Sequence, residues 1–126
     1  MRQLMEEAAR LKVQIHVAHF DDEDLRGFYD AKRHRIFIRL GLTIPQTKEA
    51  LAHELSHCYY QHGCTNEQSE RQARKRAAAL LVTDEAYATA EAIDPHPHAI
   101  ALELDVTPEI IVDYQEFHLA GRTSAP

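Results

Sequence analysis

The chain has 126 residues, the size of one ordinary domain, and its 44% apolar content is usual for a soluble globular protein. No stretch approaches the ~20 apolar residues of a membrane helix, and the opening segment carries Glu6 and Glu7 without an unbroken apolar run, so it does not read as a secretory signal. The net charge of −6 is uneven: residues 1–76 hold 13 of the 14 Lys and Arg, whereas residues 77–121 hold none against nine Asp and Glu, the wrong sign for a surface that grips phosphates.

In chain order, Leu4, Ala8 and Leu11 recur at helical spacing and predict a helix over 2–11. Val13, Ile15 and Val17 alternate with polar residues, as in a strand. An acidic loop, Asp21 to Asp24, leads to a short strand, Gly27-Phe28-Tyr29-Asp30. After a polar turn from Ala31 to His34, residues 35–40 form a third strand with Ile36 and Ile38 on one face. Together these predict a small, mostly antiparallel sheet.

Thr43-Ile44-Pro45 offers an N-cap and a first-turn proline for a helix running to about His62 and ending near Gly63. Thr65-Asn66 starts another, to about Val82, and Thr83-Asp84 caps a third, to about Ile93. Asp94 to His98 is a hinge-like turn, followed by short helices over 98–104 and from Thr107 to about Leu119. The order of helix, strands, then helices is that of an α+β domain.

The segment His53-Glu54-Leu55-Ser56-His57 is an H-E-x-x-H motif on a predicted helix. Histidines at i and i+4 lie about 40° apart on a helix of 3.6 residues per turn, so both imidazoles reach one ion. Glu54, rotated by about 100°, borders such a site without binding the metal. That is the place for the general base of a zinc hydrolase.

Glu70 supplies a candidate third ligand. On the next helix it shares a stripe with Ala73, Ala77, Leu80 and Leu81, while Arg71, Gln72, Lys75 and Arg76 face away. A carboxylate buried there without a partner is costly, and a zinc ion would neutralise it. The alternative is a half-exposed Glu at the helix N-terminus, stabilised by the dipole. His62 projects about 140–180° away from His53 and His57 if the helix continues, so it is read as outside the site. His16, His19, His34, His96, His98 and His118 lack ligand spacing, although His96 and His98 lie where they can approach the cleft. Tyr60, about 20° from His53 around the helix, is a candidate oxyanion donor, against the plainer reading of a packing tyrosine. The two cysteines, Cys58 and Cys64, have no CxxC spacing, and Cys58 reads as packing in a cytoplasmic protein with reduced thiols.

On these residues the chain resembles the ImmA/IrrE-type metallopeptidases over roughly residues 8–83. The resemblance is carried by residues 35–38, Leu42-Thr43, Leu51-Ala52-His53-Glu54-Leu55-Ser56-His57, Glu70-Arg71-Gln72-Ala73 and Ala77-Ala78-Ala79-Leu80-Leu81-Val82. Glu70 falls on the first Glu of the family's E-x-E-A pattern, a metal ligand there. The resemblance implies a zincin-like fold, bound Zn2+, and hydrolysis of a peptide bond in a helix-turn-helix repressor encoded by a phage or mobile element. A non-catalytic antirepressor of the same fold, which sequesters the repressor, is the alternative. Ser56 replaces the family's Gly, Gln72 its second Glu, and Arg74 its Asn or Asp. The resemblance implies that the last two are positions that orient a ligand histidine, so these replacements bear on rate and zinc affinity and not on the ligand set.

The expected organisation is a zincin-like core over 1–83, a C-terminal helical extension over 84–120 packed on it, and a flexible tail over 121–126. Residues 99–112 look like a helix-turn-helix fragment, but Glu109, Asp113 and Glu116 stand where a DNA reader carries Arg, Lys or Asn. The segment therefore reads as packing or protein docking, and direct nucleic-acid and membrane contact are not expected. The acidic C-terminal third is either a solvated face or a dock for a basic partner.

Overall fold

A computed structural model describes residues 1–63 and 65–119 of the chain; the expected tail, 121–126, lies outside the described residues. The elements are α1 (Arg2–Leu11), β1 (Gln14–Ala18), β2 (Gly27–Asp30), β3 (Arg35–Arg39), α2 (Ile44–Tyr60), α3 (Glu67–Leu81), α4 (Asp84–Ile93), α5 (Pro97–Leu104) and α6 (Pro108–Tyr114). The last turn, Gln115–Leu119, is wound as a π-helix rather than continuing the α-helix. No described helix is long and apolar enough to cross a membrane.

The sheet is mixed, which corrects the expectation of a mostly antiparallel one. Its order is β1-β3-β2. Strands β2 and β3 form the expected hairpin, with Phe28 opposite Phe37. Its turn is fixed by the Arg33 N–H donating to Asp30 Oδ1 at 3.2 Å and by His34 in the left-handed region at φ 55°. Strand β1, however, lies on the far side of β3 and runs parallel to it, Ile15 opposite Ile36. The connection over 19–34, β2 included, supplies the crossover that a parallel pair requires. Alternation within a strand does not reveal which neighbour it takes.

Ile36 and Ile38 are buried together on one face of the sheet and meet Ala50, Leu51 and Leu55 of α2 in the core. Phe20, Phe28, Phe37 and His16 form a chain of ring contacts, with Phe28 and Phe37 stacked at 4.8 Å. Helix α2 starts at a capping box in which Thr43 accepts from the Gln46 N–H and Gln46 from the Thr43 N–H. Helix α3 starts in the same way with Asn66 and Ser69. Both caps satisfy amides that a helix start leaves without partners. Helices α2 and α3 form the most extensive helix pair, and buried Ala52, Ala73, Ala77 and Ala78 let their backbones approach closely. Tyr87, Ile100, Ile110, Ile111 and Tyr114 of the C-terminal helices belong to the same hydrophobic cluster as Leu4, Ile36 and Leu55.

One buried ion pair ties α1 to α3. Glu7, with a side chain only 7% exposed, accepts from Arg76 Nη2 at 2.5 Å and Arg10 Nη2 at 2.7 Å. The Arg76 guanidinium also lies 3.8 Å from the Tyr59 ring centroid, a cation–π contact. Burial alone would raise the Glu7 pKa, but hydrogen bonds and charge attraction from Arg76 and Arg10 outweigh it and hold the carboxyl below its ordinary value. A depressed carboxylate pKa contributes stability above the unfolded value that is lost as pH falls through the folded one. Glu7→Gln should therefore destabilise the fold at pH 7 by about 3 kcal/mol, the scale for leaving a buried charge without its partner. Its deficit relative to wild type should shrink below about pH 4, near the ordinary carboxylate range. Urea unfolding of both proteins at pH 7 and at acid pH measures this.

Candidate metal centre

The i, i+4 spacing on α2 brings the His53 and His57 rings to a centroid distance of 4.8 Å, with the two Nε2 atoms 3.1 Å apart. The chain reverses after Tyr60 and re-enters a helix at Glu67, which puts Glu70 in the first turn of α3. The Glu70 carboxylate spans both imidazoles: Oε2 is 3.0 Å from His53 Nε2, and Oε1 is 2.8 Å from His57 Nε2. These three residues form the group of candidate ligand atoms found among the described residues, all within 4.8 Å of one another.

The donor set fits zinc. Two imidazoles and one carboxylate are a catalytic zinc set, with the fourth position left for water or substrate. Bonds of about 2.0–2.1 Å in a tetrahedron hold ligand atoms roughly 3.3 Å apart, close to the separations of 2.8–3.1 Å seen here. Burial, helped by neighbouring His53, keeps the His57 pKa below the ordinary imidazole value against the pull of Glu70. A ligand imidazole must be neutral, so that shift favours binding.

Glu54 lies beside these groups but turns toward the sheet. It is 8% exposed. Burial pushes its carboxyl up to about 8, the Glu70 charge adds to the shift, and a hydrogen bond from the Tyr29 backbone N–H opposes it. A cation at the three ligand atoms would oppose it further. Gly27 makes room: a Cβ there would stand 3.0 Å from Phe37 O and 3.3 Å from Glu54 Cγ. Neither Gly27 nor the Tyr29 amide is recognisable as a site residue from sequence, because both act through the pairing of β2 with β3 and its contact with α2.

His62 is placed differently from its projection. Helix α2 stops at Tyr60, and Gln61 takes the left-handed conformation at φ 57°, so the helical angle no longer applies. The ring folds back, with Nδ1 2.8 Å from His57 Nδ1 and Nε2 3.0 Å from Gln72 Oε1. The exposed Tyr60 ring stacks on His62 at 5.3 Å and does not line the cavity that holds the ligand atoms. Ser56 is fully buried, its hydroxyl donating to Ala52 O at 2.8 Å.

A cavity of about 300 Å³ is lined by Gly27, Tyr29, Glu54, His62 and the three candidate ligand residues. A second, of about 570 Å³, opens on the other side of His53 between α3 and α6, with Ala77, Pro108, Ile110 and Val112 beside Glu49, Glu109 and Asp113. His98 lines this second cavity; His96, expected as its companion, does not line it and instead caps α5, accepting from the His98 N–H. The acidic surface is partly balanced from within, as Arg74 pairs with Asp113 at 3.5 Å and Arg71 with Glu116 at 3.6 Å.

A family model described as the IrrE N-terminal-like domain, Peptidase_M78, matches residues 8–116. That span contains every residue of the site. No curated protein matches the chain closely enough to carry an argument.

The purified protein should bind one zinc per chain. Removing one of three ligands should be severe, so His53→Ala should abolish stoichiometric uptake. Metal analysis after dialysis reads this, and full zinc retention by the variant would place the metal elsewhere.

Proposed function

The chain belongs to the IrrE N-terminal-like peptidase family, and from that premise we propose that it is a zinc-dependent metalloendopeptidase that cleaves a helix-turn-helix repressor of a phage or mobile element. The observation that carries the catalytic reading is one arrangement. His53, His57 and Glu70 converge their ligand atoms, and Glu54 lies beside them, buried and hydrogen-bonded to a strand amide. A module that only binds needs no general base in that position.

When bound, zinc supplies an acidified water and polarises the scissile carbonyl. The chain's own groups supply the rest. His53, His57 and Glu70 fix the ion's position. The Glu54 carboxylate takes the proton of the attacking water and delivers it to the leaving amide nitrogen, as a positioned general base and then acid. The Tyr29 amide and the close approach of Gly27 hold Glu54 against the cavity wall. Burial keeps the Glu54 pKa within reach of neutral pH, which suits a group that must both accept and return a proton.

The substrate class rests on the family resemblance and on charge. The larger cavity beside His53 is apolar along α6 and carries three acids, of which Glu49 pairs with Arg26 at 3.7 Å and Asp113 with Arg74 at 3.5 Å, leaving Glu109 to give the wall its acidic character. A segment of a DNA-binding protein, basic with apolar residues interspersed, complements that wall.

The test is co-incubation with helix-turn-helix repressors encoded in the same genome, taken one at a time, with and without chelator, read by intact mass. Wild type should produce two fragments whose masses sum to the repressor plus one water, and chelator should stop the reaction. Glu54→Gln should keep its zinc and its fold yet cut at least about 100-fold more slowly, the lower bound for losing a positioned general base. An intact repressor that is nevertheless inactivated equally by wild type and Glu54→Gln would make the protein a sequestering antirepressor instead.

A further inference from the structure

We infer that His62 and Gln72 form a positioning relay that sets the tautomer of His57 so that its Nε2 faces the metal with a free lone pair. The inference rests on the zinc reading of the site and goes beyond it, since neither residue is a ligand or a general base.

The geometry is a continuous line of polar atoms. Gln72 Oε1 lies 3.0 Å from His62 Nε2, and His62 Nδ1 lies 2.8 Å from His57 Nδ1. His57 Nε2 then faces His53 Nε2 at 3.1 Å and Glu70 Oε1 at 2.8 Å. An amide oxygen only accepts, so with Gln72 turned as it is here, oxygen toward the ring, the atom it meets carries hydrogen. His62 is therefore protonated at Nε2 and, as a neutral ring, accepts at Nδ1. That obliges His57 to carry its hydrogen on Nδ1 and donate it to His62. The remaining nitrogen, His57 Nε2, is left as the acceptor, which is the form that binds a metal.

The ring is held as well as protonated. His62 stacks on Tyr60 with an interplanar angle of 19° and meets His57 nearly edge-on at 67°. The left-handed Gln61 turns the chain so that this ring lies under His57 rather than on the opposite side of α2. The relay also explains why Gln72 can stand on a face of α3 other than that of Glu70: one helix supplies a ligand from one face and a tautomer anchor from another.

The side chain at 72 gives a diagnostic. A glutamine can reverse its amide and donate to His62, which would reverse every hydrogen in the line and block His57 Nε2. A glutamate cannot donate when ionised, so it enforces the metal-binding direction. A methionine of similar length supports neither.

The experiment is chelator competition for zinc on the full chain, paired with urea unfolding of chelator-treated protein and with imidazole nitrogen NMR of the zinc-loaded form. His62→Ala and Gln72→Met should weaken zinc roughly 10- to 100-fold, the usual cost of losing a partner behind a ligand histidine, without moving the unfolding midpoint of the stripped protein. Gln72→Glu should hold zinc at least as tightly as wild type. The wild-type spectrum should show hydrogen on His57 Nδ1 and His62 Nε2. Wild-type zinc affinity in His62→Ala and Gln72→Met, or a loss in Gln72→Glu equal to that in Gln72→Met, would overturn the relay while leaving the metal centre standing. Failure of wild type itself to take up zinc would overturn both.

Discussion

The convergence of three electron-rich side chains from two helices is the constraint on which the site depends. His53, His57 and Glu70 place a nitrogen pair and a carboxylate within about hydrogen-bond distance of one another. Such a cluster is unfavourable unless a proton or a cation is shared among its members. The apolar packing of α2 on α3 holds it together. Alanines at 52, 73, 77 and 78 are buried where bulkier side chains would push the helices apart, and the caps at Thr43 and Asn66 fix where each helix begins. A shift of one residue at the start of α3 would rotate Glu70 by about 100° and carry it off the histidines.

What could be read from the sequence follows from how local each relation is. The pairing of His53 with His57 is a property of one helix, and periodicity alone reveals it. Glu70 is one step less local, yet its position on a stripe with Ala73 and Ala77 marks the face that meets α2. The starts of α2, α3 and α4 are signalled by Thr43, Asn66 and Thr83, all of which cap as expected. His62 is where projection fails. Its projected angle holds only for a helix that continues, and the chain leaves the helix at Gln61, a residue type that carries no strong stop signal. Gly63, the visible stop signal, lies two residues too late. The β1-β3-β2 order, the Gly27 contact and the Tyr29 hydrogen bond were hidden for a related reason, since each depends on which strand lies beside which.

Glu54 shows how the sheet enters the chemistry. Its helix position would allow many rotamers, and a freely moving carboxylate would be solvated and close to its ordinary acidity. Strand β2 removes that freedom. The side chain is enclosed by Gly27 and by the Tyr29 amide, and burial raises its pKa to about 8. A Cβ at position 27 would crowd Phe37 O and Glu54 and push the strand outward, so the small strand that seems peripheral to the motif contributes to the burial that raises the pKa of the group the motif supplies.

The C-terminal helices bear on the same problem through α3. One side of that helix is tied to α1 by Arg76 and Glu7. Another is tied to the last turns by Arg74 with Asp113 and Arg71 with Glu116, and Phe117 lies against both of those guanidiniums. The basic run of α3 and the acidic final third of the chain are thus partly partners of each other. Long, partly exposed pairs of this kind are individually worth little, but they flank buried Ile110, Ile111 and Tyr114, whose packing contributes far more. A helix held from both sides has few ways to tilt. Tilting α3 would change the Glu70 distances first, because Glu70 lies in its opening turn. The acidic composition of the last third, which argues against a DNA surface, is thus partly engaged within the chain, while the apolar packing of α6 on α3 does most to hold the angle at which the Glu70 carboxylate meets the two histidines.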